Sequence, residues 1–378
     1  LRDVYKRQHR HSLQEQDIEN VCKVLRSQFL TTGPGTATFE KRFCEYTGLK
    51  HTIGLNSCTA ALHLALLALG VGPGDEVVTT PMTFIASVTA ILHTGATPVF
   101  VDVEPQTGRL DVSRISQALT PATKAVLPVH LYGAMADMRA LRAVADAHTL
   151  GIVEDCAHCI EAQRDGVRPG QLGDAACYSF YATKNLTCGE GGALSCNDPA
   201  VANAVTVLRL HGMSKDAISR YSGKYKHWDM IAEGWKYNLN DIHSALLVDQ
   251  IERLDAQLAR RNEICAQYDA AFSGCPDIEL PAVPGTSARH LYTIWVDPAR
   301  RDDILHSLHD KGVGVAVNYR AIHTLQFFRE TMGHAPEDFP NALRIGQRTV
   351  TLPLYPGLRD EEAAYVSRCV LEAVGERG

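Results

Sequence analysis

Gly151-Ile152-Val153-Glu154-Asp155 reads as an apolar strand ending in two carboxylates, and a second β-rich run, Cys177-Tyr178-Ser179-Phe180, leads into Tyr181-Ala182-Thr183-Lys184-Asn185. Ligands bind at the C-terminal edge of a parallel sheet, so one of Glu154 and Asp155 is expected to face a ligand there, with Lys184 at a neighbouring strand end. Working outward, further β-rich runs at residues 76–80, 98–101, 125–129 and 193–196 alternate with helical stretches. Repeated βα alternation implies an α/β fold, with a mostly parallel sheet between layers of helices. Residues 59–69 are apolar on nearly every side except at His63, which predicts a helix lying inside the protein.

Towards the N-terminus, Ile18, Val21, Cys22 and Leu25 fall at helical spacing before Thr31-Thr32-Gly33-Pro34-Gly35 breaks the pattern. Towards the C-terminus, residues 240–272 read as one long helix or a kinked pair, and Pro276, Pro281 and Pro284 then crowd a linker. The organisation expected is a large domain over 9–240, a connecting helix over 241–275 and a small C-terminal α+β domain over 276–378. The last of these carries a strand at 291–296 and helices at 302–311 and 361–374. Residues 1–8 lack an initiator Met and are set aside as non-native fragment sequence.

Composition removes several classes of function. The 378 residues carry 37 Lys and Arg against 43 Asp and Glu, a net charge of −6, without the basic surplus that neutralises nucleic-acid phosphates. Apolar residues at 45% and charged residues at 21% suffice for a large core. No run approaches the roughly 18 uninterrupted apolar residues of a membrane span, so neither nucleic acid nor membrane is expected as a partner, and the chain is expected to be cytoplasmic. The eleven cysteines are odd in number and dispersed, which suits reduced thiols. Cys156-x-x-Cys159 has no second pair at zinc-finger spacing, and no metal is expected. Gly70-x-Gly72-x-Gly74 follows a helix and precedes a strand, the reverse of a dinucleotide fingerprint.

What remains is the chemistry at residues 151–192. A lysine and an acid at adjacent strand ends suit pyridoxal phosphate: the lysine holds the aldehyde as a Schiff base, and the acid keeps the pyridine nitrogen protonated so that the ring withdraws electrons. The lysine must be neutral to react, so its pKa must fall from about 10.4, as burial or a nearby cation arranges. Asn56-Ser57-Cys58-Thr59 opens the buried helix with free backbone N–H groups and hydroxyls, a seat for a phosphate or an ordinary N-cap.

The order of motifs resembles the DegT-type sugar-nucleotide aminotransferases, pyridoxal-phosphate enzymes with the aspartate-aminotransferase fold. Its pieces are NSCTAALHLAL at 56–66, GDEVVTTPMTF at 74–84, VEDCAHCIEA at 153–162, SFYATKNLTCGEGG at 179–192 and KYNLNDIHSALLVDQ at 236–250. The resemblance implies that Lys184 is the covalent lysine and proton shuttle and that Asp155 pairs with the pyridine nitrogen. It implies that Phe84 stacks on the ring, that His158 lies beside the cofactor, and that Ser57, Cys58, Thr59 and Ser179 hold the phosphate. Asn238 is implied to reach in from the other subunit of a homodimer with shared sites. Two positions depart from the family: Cys58 stands where Gly or Ala is usual, and Tyr181 where His is frequent.

Asn318-Tyr319-Arg320-Ala321-Ile322-His323-Thr324 and Leu352-Pro353-Leu354-Tyr355-Pro356 resemble the branch that makes UDP-4-amino-4-deoxy-L-arabinose. That implies L-glutamate as amino donor, leaving as 2-oxoglutarate, and a UDP-linked 4-ketopentose or 4-keto-6-deoxyhexose as acceptor. Thr32, Tyr319, Arg320 and His323 are the substrate-side candidates. The alternatives are a dTDP-ketosugar aminotransferase acting at carbon 3 or 4, and a non-catalytic cofactor-binding sensor of the same fold.

Overall fold

A computed structural model of the chain describes residues 8–214 and 227–375. Residues 1–7 of the segment set aside above lie outside the described residues. The central sheet has seven strands: β1 (His51–Leu55), β2 (Glu76–Thr79), β3 (Thr97–Phe100), β4 (Thr123–Val126), β5 (Gly151–Asp155), β6 (Ala175–Ser179) and β7 (Gly192–Cys196). They lie in the order β1-β7-β6-β5-β4-β2-β3, parallel from β6 to β3, with β7 antiparallel to both of its neighbours. The mostly parallel α/β sheet read from the sequence is therefore present. Strand β1 was not expected. Gly54 interrupts its apolar pattern, and a Cβ there would lie 3.1 Å from the Leu239 side chain, so close approach governs the position instead of β propensity.

Two N-terminal helices, α1 (Glu15–Leu25) and α2 (Pro34–Thr47), precede the sheet. The apparent break at 31–35 is the start of α2, with Gly33 at the N-cap and Pro34 in the first turn, where a missing N–H costs nothing. Its cap comes from far along the chain. The buried Asp241 carboxylate accepts hydrogen bonds from the Gly33, Gly35 and Thr36 amides and from the Thr36 hydroxyl, at 2.7–2.9 Å. A Cβ at Gly33 would stand 2.7 Å from Asp241 Oδ2, so the glycine admits the carboxylate.

Helix α3 (Cys58–Ala68) is the predicted internal helix and packs on β6 and β7 and against α4 (Ile85–His93). His63, the polar residue in the middle of the helix, is itself buried, edge-on to Trp235. Residues 240–272 form the kinked pair: Asp241–Leu247, a single 3₁₀ turn at Ile251–Arg253, and Leu254–Phe272. The second half of that long helix is not merely a connector. Ile264, Tyr268 and Phe272 join a separate core with the antiparallel pair β8 (Tyr292–Trp295) and β9 (Thr349–Leu352) and the helix Asp360–Gly375. A further apolar cluster, including Met82, Tyr132, Trp295 and Ile322, joins this C-terminal part to the edge of the main sheet.

Candidate active site

A cavity of about 540 Å³ opens at the C-terminal ends of β5 and β6 and the N-terminus of α3. Lys184, Asp155, Phe84, His158, Ser179 and Tyr319 all line it, as do Ser57, Cys58 and Thr59. Strand alternation decides between the two carboxylates of β5. Asp155 faces the cavity; its Oδ2 accepts from the Ser87 hydroxyl at 2.7 Å and its Oδ1 from the Ala157 amide at 3.0 Å, which fixes its orientation. Glu154 points the other way, into the core. It accepts from His130 Nε2–H at 2.8 Å and from the Gly170 and Gly173 amides.

His130, Glu154 and Cys156 lie close enough to suggest a metal triad. Both imidazole nitrogens are already used, however: Nδ1 accepts from the Ala136 amide, and Nε2 carries the proton given to Glu154. No lone pair is left on His130 for an ion.

Lys184 projects into the cavity from the loop after β6, where burial pushes its amine down from the ordinary 10.5 to about 8, against the opposing pull of the Asp155 carboxylate. Its Nζ lies 3.4 Å from Nε2 of His290. His158 is buried, and burial followed by the charge of Lys184 holds it well below the usual histidine range, hence neutral. Its Nδ1 accepts from the Tyr132 amide at 3.3 Å, so the proton sits on Nε2, which donates to the Tyr319 hydroxyl at 3.1 Å. The Tyr319 proton is thereby left to point elsewhere, and its ring also approaches that of Phe84, with centroids 5.9 Å apart. Phe84 and Tyr181, both about half exposed, stand at the cavity.

The α3 N-terminus supplies polar groups. Ser57 is the N-cap, its hydroxyl accepting from the Ala60 amide, while the Cys58 and Thr59 amides have no carbonyl partner inside the helix. Gly192, at the start of β7, makes this possible: a Cβ there would lie 2.3 Å from the Ser57 carbonyl carbon and 2.5 Å from the Cys58 nitrogen.

Three sequence candidates stand elsewhere. His323 is fully buried against Phe339 with Nε2 donating to the Pro336 carbonyl, so its substrate role is withdrawn. Arg320 is exposed and lines a separate surface cavity with Arg301 and Arg329, so it too is removed from this chain's lysine pocket. The cause is the apolar anchor beside them: Ile322 is buried, with its amide bound to the Pro81 carbonyl, and the flanking side chains turn away from the site. Thr32 likewise lies outside the pocket, donating to the Leu239 carbonyl and accepting from Asn238 Nδ2 at 2.7 Å. Asn238 is paired through a single bridge to Leu55 and does not line its own chain's cavity. Sequence reading missed Ser87, His290, Asn185 and Glu161. Of these only Asn185 sits beside a marked residue.

The profile of the DegT/DnrJ/EryC1/StrS aminotransferase family matches residues 11–371, and the chain belongs to that family. It is 41% identical over 368 residues to the spore coat polysaccharide biosynthesis protein SpsC of Bacillus subtilis, covering 95% of each chain. The PMP-form of Spr1654 from Streptococcus pneumoniae superposes with a TM-score of 0.92 at 33% identity, over 97% of this chain and 98% of that one. PseC of Helicobacter pylori, an aminotransferase involved in the biosynthesis of pseudoaminic acid, gives 0.91 at 27% identity, over 99% and 100%. The protein is a sugar aminotransferase that uses pyridoxal phosphate. The cavity's donor set fits that cofactor. One desolvated amine, one fixed carboxylate, an exposed aromatic face and two unpaired helix-terminal amides match an aldehyde, a ring nitrogen, a ring plane and a phosphate.

Proposed function

We propose that this enzyme transfers the amino group of L-glutamate to the 4-keto carbon of a UDP-linked ketosugar, a pentose or a 6-deoxyhexose, in a homodimer with shared sites. The observation that carries the chemistry is a partly neutral lysine and a fixed carboxylate in one cavity at adjacent strand ends. The cofactor, when bound, supplies an electron sink. Lys184 is the only lysine lining the cavity among the described residues, so its Nζ is the amine that holds the aldehyde and the base that moves a proton there. Asp155 keeps a proton on the ring nitrogen by charge. Phe84 covers the ring and His158 lies beside it, while the Cys58 and Thr59 amides and the Ser57 and Ser179 hydroxyls receive the phosphate.

Support for the acceptor comes from the resemblance of residues 318–324 and 352–356 to the 4-aminoarabinose branch. Asn318 and Tyr319 are the members of that stretch that line the cavity, where the Tyr319 hydroxyl is available to a sugar. SpsC and PseC, named for polysaccharide and pseudoaminic acid biosynthesis, support a sugar as the acceptor. The shared site is supported by Thr32 and Asn238, which pair with each other outside their own chain's cavity. The test is a panel of UDP- and dTDP-linked 3- and 4-ketosugars supplied with ¹⁵N-glutamate and read by mass. Labelled 4-amino product from UDP sugars is expected; labelled product only from dTDP sugars or only at carbon 3 overturns the assignment.

A further inference from the structure

Behind Lys184 runs a chain of buried side chains in which each partner dictates the hydrogen-bonding state of the next. It starts at Arg261, whose Nη2 donates to Glu161 Oε1 at 2.5 Å; the two side chains are 2% and 1% exposed. A buried ion pair is poor as a source of stability, because desolvation offsets its attraction, but it fixes orientation. The Glu161 oxygens and the Ala288 carbonyl are all acceptors, and all three lie 2.9–3.2 Å from Asn185 Nδ2. The Asn185 amide therefore has its NH₂ on that side and its Oδ1 towards His290, 3.3 Å from Nδ1. Oδ1 only accepts, so His290 carries its proton on Nδ1. Its Nε2 is left with a lone pair aimed at Lys184 Nζ, 3.4 Å away. Burial and the neighbouring charge of Lys184 keep His290 well below the usual histidine range, so the ring is neutral.

We propose that His290, locked in the Nδ1–H tautomer by Asn185, Glu161 and Arg261, is a positioning residue that takes one N–H of Lys184 and thereby turns the amine's lone pair into the cavity. A lysine side chain rotates freely about four bonds, and an amine with its lone pair pointed into protein cannot attack an aldehyde. An acceptor behind it selects the productive rotamer and speeds attack by restricting orientation. Nothing in the sequence joins these residues: His290 lies 106 positions from Lys184, and Arg261 lies 100 from Glu161.

The inference rests on Lys184 being the cofactor-holding lysine, and its test separates the two claims. In cofactor-free protein, Lys184 reactivity is measured against pH by trace labelling with acetic anhydride and peptide mass, and the rate of pyridoxal phosphate capture is followed by absorbance. The titratable and charged groups around Lys184 are Asp155 on β5, Cys58 on α3, His158 after β5, Tyr181, Glu190, Tyr319, His290, and His9 with Arg10, His11, Arg261 and Tyr355 behind it. His290→Phe keeps a flat ring against His158 and removes the acceptor. Because an acceptor favours the ammonium more than the amine, its removal lowers the labelling midpoint of Lys184, whereas simple loosening of the site raises it towards an exposed lysine.

Capture slowed by on the order of tenfold together with a lowered midpoint is expected for His290→Phe, with His290→Gln, which restores an acceptor oxygen, recovering most of the rate. Asn185→Leu, which frees the tautomer, is expected to slow capture as well. Unchanged capture, or an unchanged or raised midpoint in His290→Phe with no recovery in His290→Gln, overturns the positioning role. Failure of the wild-type protein to capture the cofactor at Lys184 sinks the underlying assignment instead.

Discussion

In the proposed chemistry Lys184 and Asp155 divide the work of the site between an amine that must lose its proton and a carboxylate that must keep its charge. Replacing Lys184 with Ala is expected to leave the fold intact and bring transamination below detection, checked by circular dichroism and a glutamate-dependent assay. Asp155→Asn is expected to retain cofactor and lose on the order of 100-fold in turnover, since an amide cannot hold the ring proton by charge. Unchanged turnover in that variant would contradict the choice of Asp155 over the core-facing Glu154. The depressed lysine also sets a pH dependence. The neutral amine accumulates as pH rises through about 8 instead of the ordinary 10.5, so capture of cofactor by the empty enzyme is expected to fall about tenfold per unit below pH 8 and to level off above it. A midpoint near that of an exposed lysine would show that the amine is not desolvated. That these two residues meet at one sheet edge was legible because strand ends are legible. Ser87 and His290 were not, because their roles arise from contacts 68 and 106 positions away in sequence. His323 was misread for a complementary reason: its residue type suggested a ligand contact, but its Nε2 serves a backbone carbonyl in the core.

At the scale of elements, the site depends on how β7 meets the first turn of α3. Gly192→Ala would drive a Cβ to 2.3–2.6 Å from the backbone of Ser57 and Cys58. Overpacking of that kind costs about 1–3 kcal/mol, and the displaced amides are expected to weaken cofactor binding about tenfold in an absorbance titration. Unaltered affinity would mean that this helix end does not hold the phosphate. Helix α3 and the parallel strands were readable from apolar content, which reports burial directly. Helix α2 and strand β1 were not. The first is capped by Asp241, more than 200 positions away, and the second is built around a glycine that yields space to Leu239.

The whole molecule adds the question of which chain completes which site. Thr32 and Asn238 pair at a distance from their own lysine, and Phe84, Ile85 and Tyr181 leave apolar surface exposed near the cavity. If sites are shared, mixing Lys184→Ala with Asn238→Asp under conditions that exchange subunits restores activity in heterodimers, to about a quarter of the wild-type number of sites at equal mixing. Verified exchange without recovery would return Asn238 to a role within its own chain. The central claim, covalent cofactor chemistry at Lys184, is tested most directly by reducing the pyridoxal-phosphate-loaded protein with borohydride, with and without prior L-glutamate, and locating the adduct by peptide mass. An adduct on Lys184 that disappears after glutamate is the expected result; an adduct on another lysine, or one on Lys184 that glutamate does not remove, would contradict it.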